Sequence, residues 1–146
     1  MIWSLDTSVL VASLVKPHPR HADALLLLRR AEGEKIELAI CAHALAETFS
    51  VLTRLPLEPK IRPADAEILV QREVADRCRV VPVDGELERL AIAAVVAAGL
   101  QGGAVHDALH AVAARRAKAD RLWTLNRKHF IPFWDRLHVP EVPIGG

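Results

Sequence analysis

Three carboxylates and one amide stand in this chain where metal chemistry would want them: Asp6 in MIWSLDTSVLVA, Glu47 in AHALAETFSVLTRL, Asp107 in GGAVHDALHAVAARR and Asn126 in RLWTLNRKHF. They are separated by 41, 60 and 19 positions, so only folding could bring them together. Two of them end short apolar runs, IWSL and RLWTL, which read as buried strands. In an open α/β sheet, ligands collect at the carboxyl ends of such strands, which puts Asp6 and Asn126 on one rim. Glu47 is expected about a turn into a helix after the strand-like ELAIC, and Asp107 at the opening of a helix after the Gly102-Gly103 break.

Carboxylates gathered in one cleft repel. Two unit charges about 4 Å apart interact by roughly 4 kcal/mol at the effective dielectric of a protein surface, so something must offset them. Sharing a proton between two acids is one solution; a divalent cation is the other. Three acids with an amide oxygen form a hard oxygen set suited to Mg²⁺ or Mn²⁺. Each acid also has a plain structural reading: Asp6 as a helix cap, Glu47 as part of a solvated face with His43, Ser50 and Arg54, and Asp107 as a favourable charge near a helix start.

The elements that must position these groups alternate. Strands are expected over residues 2–6, 36–41, 78–83, 121–125 and about 137–142. Helices are expected over 7–15, 20–32, 43–54, 63–76, 84–98 and 105–118, with a short helical turn after 125. Strands alternating with helices imply parallel pairing through right-handed crossovers, a doubly wound α/β sandwich. PLEPKIRP, from Pro56 to Pro63, is too broken for a helix or a ladder strand and reads as an exposed connection. The second half of GELERLAIAAVVAAG is apolar on nearly every side and is expected to be sandwiched between layers, or else covered by another subunit.

A chain of 146 residues is expected to form one domain. Its 51% apolar content contains no uninterrupted run long enough to cross a membrane. MIWSLD lacks the basic head and apolar stretch of a secretory signal, so a cytoplasmic setting is expected. Cys41 and Cys78 have no CxxC spacing and read as reduced core thiols. The net charge of +1 is uninformative, but its distribution is not: Arg115, Arg116, Lys118, Arg121, Arg127 and Lys128 face a single acid, Asp120, between residues 115 and 129. A basic flank beside an acidic, metal-holding cleft suits a phosphodiester substrate, the cations holding the backbone while the metal polarises one phosphate. HDALH places His106 and His110 four apart as in a zinc hydrolase motif, but the acid between them is Asp107 rather than Glu, and no third ligand presents itself.

LDTSVLVA, AETFSVLTRLP and HDALHAVAARR followed by LWTLNRKHF together resemble, in order and spacing and over essentially the whole chain, a PIN-domain protein of the VapC ribonuclease toxin type. The resemblance implies a three-layer α/β/α PIN-like sandwich with a mainly parallel central sheet over 1–146. It implies hydrolysis of single-stranded or looped RNA with Mg²⁺ or Mn²⁺, Asp6, Glu47 and Asp107 taking the acidic ligand positions. Asn126 takes the fourth position, often acidic in the family. Thr7 becomes a supporting donor, and the basic flank a place for substrate at Arg115, Arg116, Arg127 and Lys128. A homodimer and a small VapB-type antitoxin blocking the cleft are also implied. The amide at 126 leaves open a second class, a PIN-like module that binds RNA or protein without cutting. A HAD-type phosphatase would need an acid two residues after the first, where this chain has Ser8.

Overall fold

The computed structural model describes residues 1–140. Five parallel strands form its sheet: β1 (Ile2–Leu5), β2 (Glu37–Cys41), β3 (Arg79–Val81), β4 (Arg121–Trp123) and β5 (Leu137–His138), in the order β3-β2-β1-β4-β5. The first crossovers travel one way from β1 and the later ones the other, so the order reverses beside β1, where an open α/β sheet presents its crevice. The expected final strand 137–142 is observed only as Leu137–His138; residues 141 and 142 lie outside the described part.

Alternation along the strands builds three layers. Trp3, Leu5 and Ile40 face a core completed by α1 (Thr7–Leu14) and α2 (His21–Gly33), with Val74 from the next helical stretch. Ala39 and Cys41 point the opposite way, into α5 (Gly85–Ala97) and α6 (Ala104–Arg116). The run Ala111, Ala113, Ala114 and Ala117 in and after α6 is buried, which lets that helix lie close to its neighbours. Arg30 and Arg121 stack on Trp3 with centroid distances of 5.1 and 5.6 Å, and Trp3 in turn meets Trp123 at 5.0 Å, fastening β1 to β4 and α2. Cys41 and Cys78 are both free thiols, and burial pushes each up to about 11.

Two expectations need correction. The helix expected over 63–76 is α4 (Pro63–Leu69) followed by a widened π-type turn, Val70–Ala75, in which Asp76 N–H donates to Gln71 O at 2.9 Å. The apolar second half of α5 is not sandwiched: only Leu87, Ala91 and Val95 are buried, while Leu90, Ile92 and Val96 are 47%, 55% and 72% exposed. α5 packs on the largely buried α6 through one narrow face of its own, so the remaining apolar residues of α5 turn outward. Residues 56–62 form the anticipated irregular, largely exposed connection after α3 (His43–Arg54), with Leu57 and Ile61 tucked against Leu52.

Leu5→Ala, in fully buried central β1, is expected to cost about 2–5 kcal/mol in chemical denaturation. Ile131→Ala, at a residue 59% exposed, should stay within about 0.5 kcal/mol.

Candidate active site

At the end of β1 the chain turns directly into α1, and Asp6 caps that helix by accepting from Val9 N–H at 3.2 Å. It is also 3% exposed, an unusual place for a carboxylate. Ser8 Oγ donates to its Oδ1 at 2.6 Å, and Thr124 Oγ1, from the end of β4, donates to its Oδ2 at 2.6 Å. The hydroxyls are themselves anchored, because Ser8 accepts from Leu125 N–H and Thr124 from Asn126 N–H, both at 2.9 Å. One carboxylate thus ties the β1 and β4 exits together. Thr124 escaped the sequence reading, although its position just past a buried strand, matching that of Asp6, is a signal for a polar group on the rim.

A cleft of about 600 Å³ opens over this junction, lined by Asp6, Thr7, Glu47, Asp107, His110 and Asn126 among others. The four residues singled out in the sequence therefore meet, delivered by the end of β1, by α3, by α6 and by the residue preceding α7 (Arg127–Phe130). Asp107 lies in the first turn of α6, which begins at Ala104, slightly earlier than expected. Two other hollows on the surface, of about 450 and 580 Å³, lack this gathering of acids.

The three acids differ in electrostatic state. Burial raises the Asp6 carboxyl above the ordinary value despite its hydrogen bonds. Burial also raises Asp107, and the charges of Asp6 and Glu47 push it further, against the opposing pull of His129 and His110. For Glu47 burial acts upward too, but is outweighed: His110 Nε2 lies 2.6 Å from its Oε1, His43 is near, Thr7 Oγ1 donates at 3.0 Å, and the carboxyl sits below its ordinary value. Two acids short of compensation next to one that is well compensated leave room for positive charge.

The donor set fits a hard divalent cation, since the cleft gathers the carboxylates of Asp6, Glu47 and Asp107, the hydroxyls of Thr7 and Ser8 and the Asn126 amide, with His110 engaged by Glu47 and His18 and Arg20 lining the same cleft. Among the described residues, no three His, Cys, Asp or Glu side chains already stand in ligating proximity, so the geometry is an open ring of donors rather than a finished cage. The zinc pairing of His106 with His110 is not built: His110 is committed to Glu47, whereas His106 is exposed and stacks on His43 at 5.3 Å with rings 12° from parallel. Ser8, in the place a HAD phosphatase needs an acid, serves the β1–β4 junction instead.

The basic flank divides. Arg127 and Lys128 are exposed and follow Asn126 at the rim. None of the four basic residues is part of the cleft lining itself, and Arg115 and Arg116, eight and nine residues along α6 from Asp107, lie about 12 Å or more down its axis. Arg115 donates to the Phe133 carbonyl and stacks on Trp134 at 5.2 Å, and Arg116 pairs with Asp84 at 3.1 Å and with Glu86 at 4.0 Å. Both are occupied in fastening α6 to its surroundings.

Asp6→Ala is expected to destabilise by about 1–2 kcal/mol, because it removes a helix cap and orphans the buried Thr124 hydroxyl. Asp107→Asn should instead stabilise the metal-free protein slightly, by less than about 0.5 kcal/mol after solvent screening. Its raised carboxyl means the folded state holds the proton more tightly than the unfolded chain, so that stability declines as pH rises from about 4 through the folded value. Thermal melts of wild type and variant across that range should therefore converge at the acid end and diverge above it.

The PIN domain family pattern matches residues 4–131. The ribonuclease VapC27 of Mycobacterium tuberculosis is 37% identical over 118 residues, 80% of each chain. Among solved structures, FitAB bound to a DNA fragment superposes with a TM-score of 0.71 at 18% identity over the full length of both chains. VapBC2 of Rickettsia felis, bound to a fragment of its promoter, does so with 0.62 at 19% identity over 95% of this chain and 98% of the other. The match over most of the chain, on the fold described above, makes this protein a member of the PIN-domain family.

Proposed function

We propose that the protein is a Mg²⁺- or Mn²⁺-dependent endoribonuclease, the toxin of a type II toxin–antitoxin pair. The observation that carries this reading is the meeting of Asp6, Glu47, Asp107 and Asn126, from four separate elements, in one cleft at the sheet's switch point. The similarity to a VapC ribonuclease supports it. In this reading Asp6 and Asp107 hold the cation directly or through water. Glu47 completes the shell or orients the attacking water, Thr7 steadies Glu47, and Asn126 positions water or a phosphate oxygen. A bound divalent ion would acidify its water and neutralise charge developing on the phosphate. In-line displacement would form a bond from the water oxygen to phosphorus as the bond from phosphorus to the ribose oxygen breaks, the proton lost by the water passing to solvent and the departing oxygen taking one up from it. Arg127 and Lys128 hold the neighbouring phosphates, a role their exposure beside Asn126 supports better than the protein-bound state of Arg115 and Arg116 supports theirs.

The partners proposed are an RNA substrate, an antitoxin of the VapB kind and a second copy of the chain. The structural neighbours FitAB and VapBC2 are each named as bound to DNA, and the joint naming of VapBC2 with its promoter supports a second, antitoxin-like chain. The outward apolar residues Leu90, Ile92 and Val96 supply surface that a dimer could cover. No helix among the described residues is long and apolar enough to cross a membrane, consistent with the cytoplasmic setting proposed. The amide at 126 favours one rival, a PIN-like module that binds without cutting.

Asp107→Asn, checked as folded by circular dichroism, is expected to lose cleavage of total cellular RNA in Mg²⁺ or Mn²⁺ by at least about 100-fold; retained activity would reject the assignment. The rival is favoured if the wild type itself leaves that RNA intact. Replacing Arg127 and Lys128 together by Ala should weaken RNA binding and reduce the slope of log K against log salt by about 1.4, two phosphate contacts on a single strand. Replacing Arg115 and Arg116 should leave that slope unchanged and lower stability instead.

A further inference from the structure

His110 is buried, 4% exposed, on the cleft wall, and neither the acidic ligand set nor the zinc reading gives it a task. Its Nε2 lies 2.6 Å from Glu47 Oε1, within the range of a strong hydrogen bond to a carboxylate. A carboxylate only accepts, so Nε2 is the donor. The ring has little freedom to leave this position. Phe130 meets it edge-on with centroids 6.3 Å apart, His43 lies at 6.4 Å on another side, and Nδ1 is buried without a hydrogen-bond partner. Thr7 Oγ1 donates to the same Oε1 at 3.0 Å. Both short contacts to Glu47 therefore fall on one oxygen, and Oε2 has no protein partner among the described residues.

We infer that His110 is a positioning residue: with Thr7 it pins Glu47 through Oε1, so that Oε2 is the oxygen held available to the cation or its water. Glu47 is about 30% exposed near the first turn of a surface helix, and its side chain would otherwise distribute over several rotamers. Fixing it in advance means that less order has to be gained when the ion arrives, which is how hydrogen-bonded partners of ligands tune metal affinity. His110 brings this support from α6, the helix that also carries Asp107, while Thr7 brings it from the start of α1. Glu47 is thus clamped between the two elements that hold the other acids. The inference deepens the proposed nuclease site and rests on its being a metal site.

The test is Mn²⁺ binding by titration calorimetry, which needs no turnover, on wild type, His110→Gln, His110→Leu and Asp107→Asn. Gln carries a donor on a chain of comparable reach, and Leu fills the space without one. Asp107→Asn loses binding if the cleft is a metal site at all. His110→Leu is expected to weaken Mn²⁺ by about 10–100-fold, with His110→Gln restoring most of it. Wild-type affinity in His110→Leu, or equal losses in Leu and Gln, overturns the positioning role while Asp107→Asn still reports a metal site. Absence of binding in the folded wild type overturns both readings. If His110→Leu does not fold, the wild-type imidazole is read by proton NMR. A protected, downfield Nε2 proton that disappears in Glu47→Ala supports the clamp, and its absence from the wild-type spectrum refutes it.

Discussion

The structure depends on burying the carboxylate of Asp6. A lone ionised group at 3% exposure would be costly, and its tolerance here rests on three donors, Ser8, Val9 and Thr124, which come from the start of α1 and the end of β4. The same contacts close the junction between the two strands at which the sheet order reverses. Position, cap and strand pairing are therefore one arrangement: the carboxylate at the floor of the cleft also holds that floor together. Burial still raises its carboxyl, so the hydrogen bonds compensate only in part. The remainder is what a cation would supply.

Around this floor the other acids are treated differently. Glu47 is held below its ordinary value by His110, His43 and Thr7, whereas Asp107 has only His129, 3.8 Å away and on the solvent side, and more distant His110. Acids of one chemical type in contrasting environments are a mark of functional sites, because a purely structural cluster would be relieved by pairing each member. At Asp107 burial raises the carboxyl most and the charges of Asp6 and Glu47 add to it; in the proposed reading a cation would offset both.

Much of this was legible in the sequence because it follows from periodicity and strand exits. IWSL and RLWTL read as strands ending at Asp6 and next to Asn126, and the alternation of elements foretold the parallel sheet. The α5 surface misled because its Ala and Val residues look apolar on every side, while only the row Leu87, Ala91 and Val95 finds a partner. The widening at Val70–Ala75 left no trace in the sequence, since helical periodicity does not separate five-residue from four-residue hydrogen bonding. Arg115 and Arg116 stand close to Asp107 along the chain, but a helix carries neighbours in sequence away at about 1.5 Å per residue. The place of Thr124 just past a strand marks it as a rim residue, but its bond to Asp6 and that of His110 to Glu47 span 118 and 63 positions, which no local pattern encodes.

The central claim, that carboxylates from separate elements share one divalent cation, is tested most directly by anomalous diffraction from crystals soaked in Mn²⁺. The account predicts a peak in the cleft with oxygens of Asp6, Glu47 or Asp107 within about 2.0–2.5 Å, or farther where one ordered water at that distance bridges them to the ion. A cleft without a peak in well-ordered crystals, or manganese bound only at His43 and His106, would contradict it.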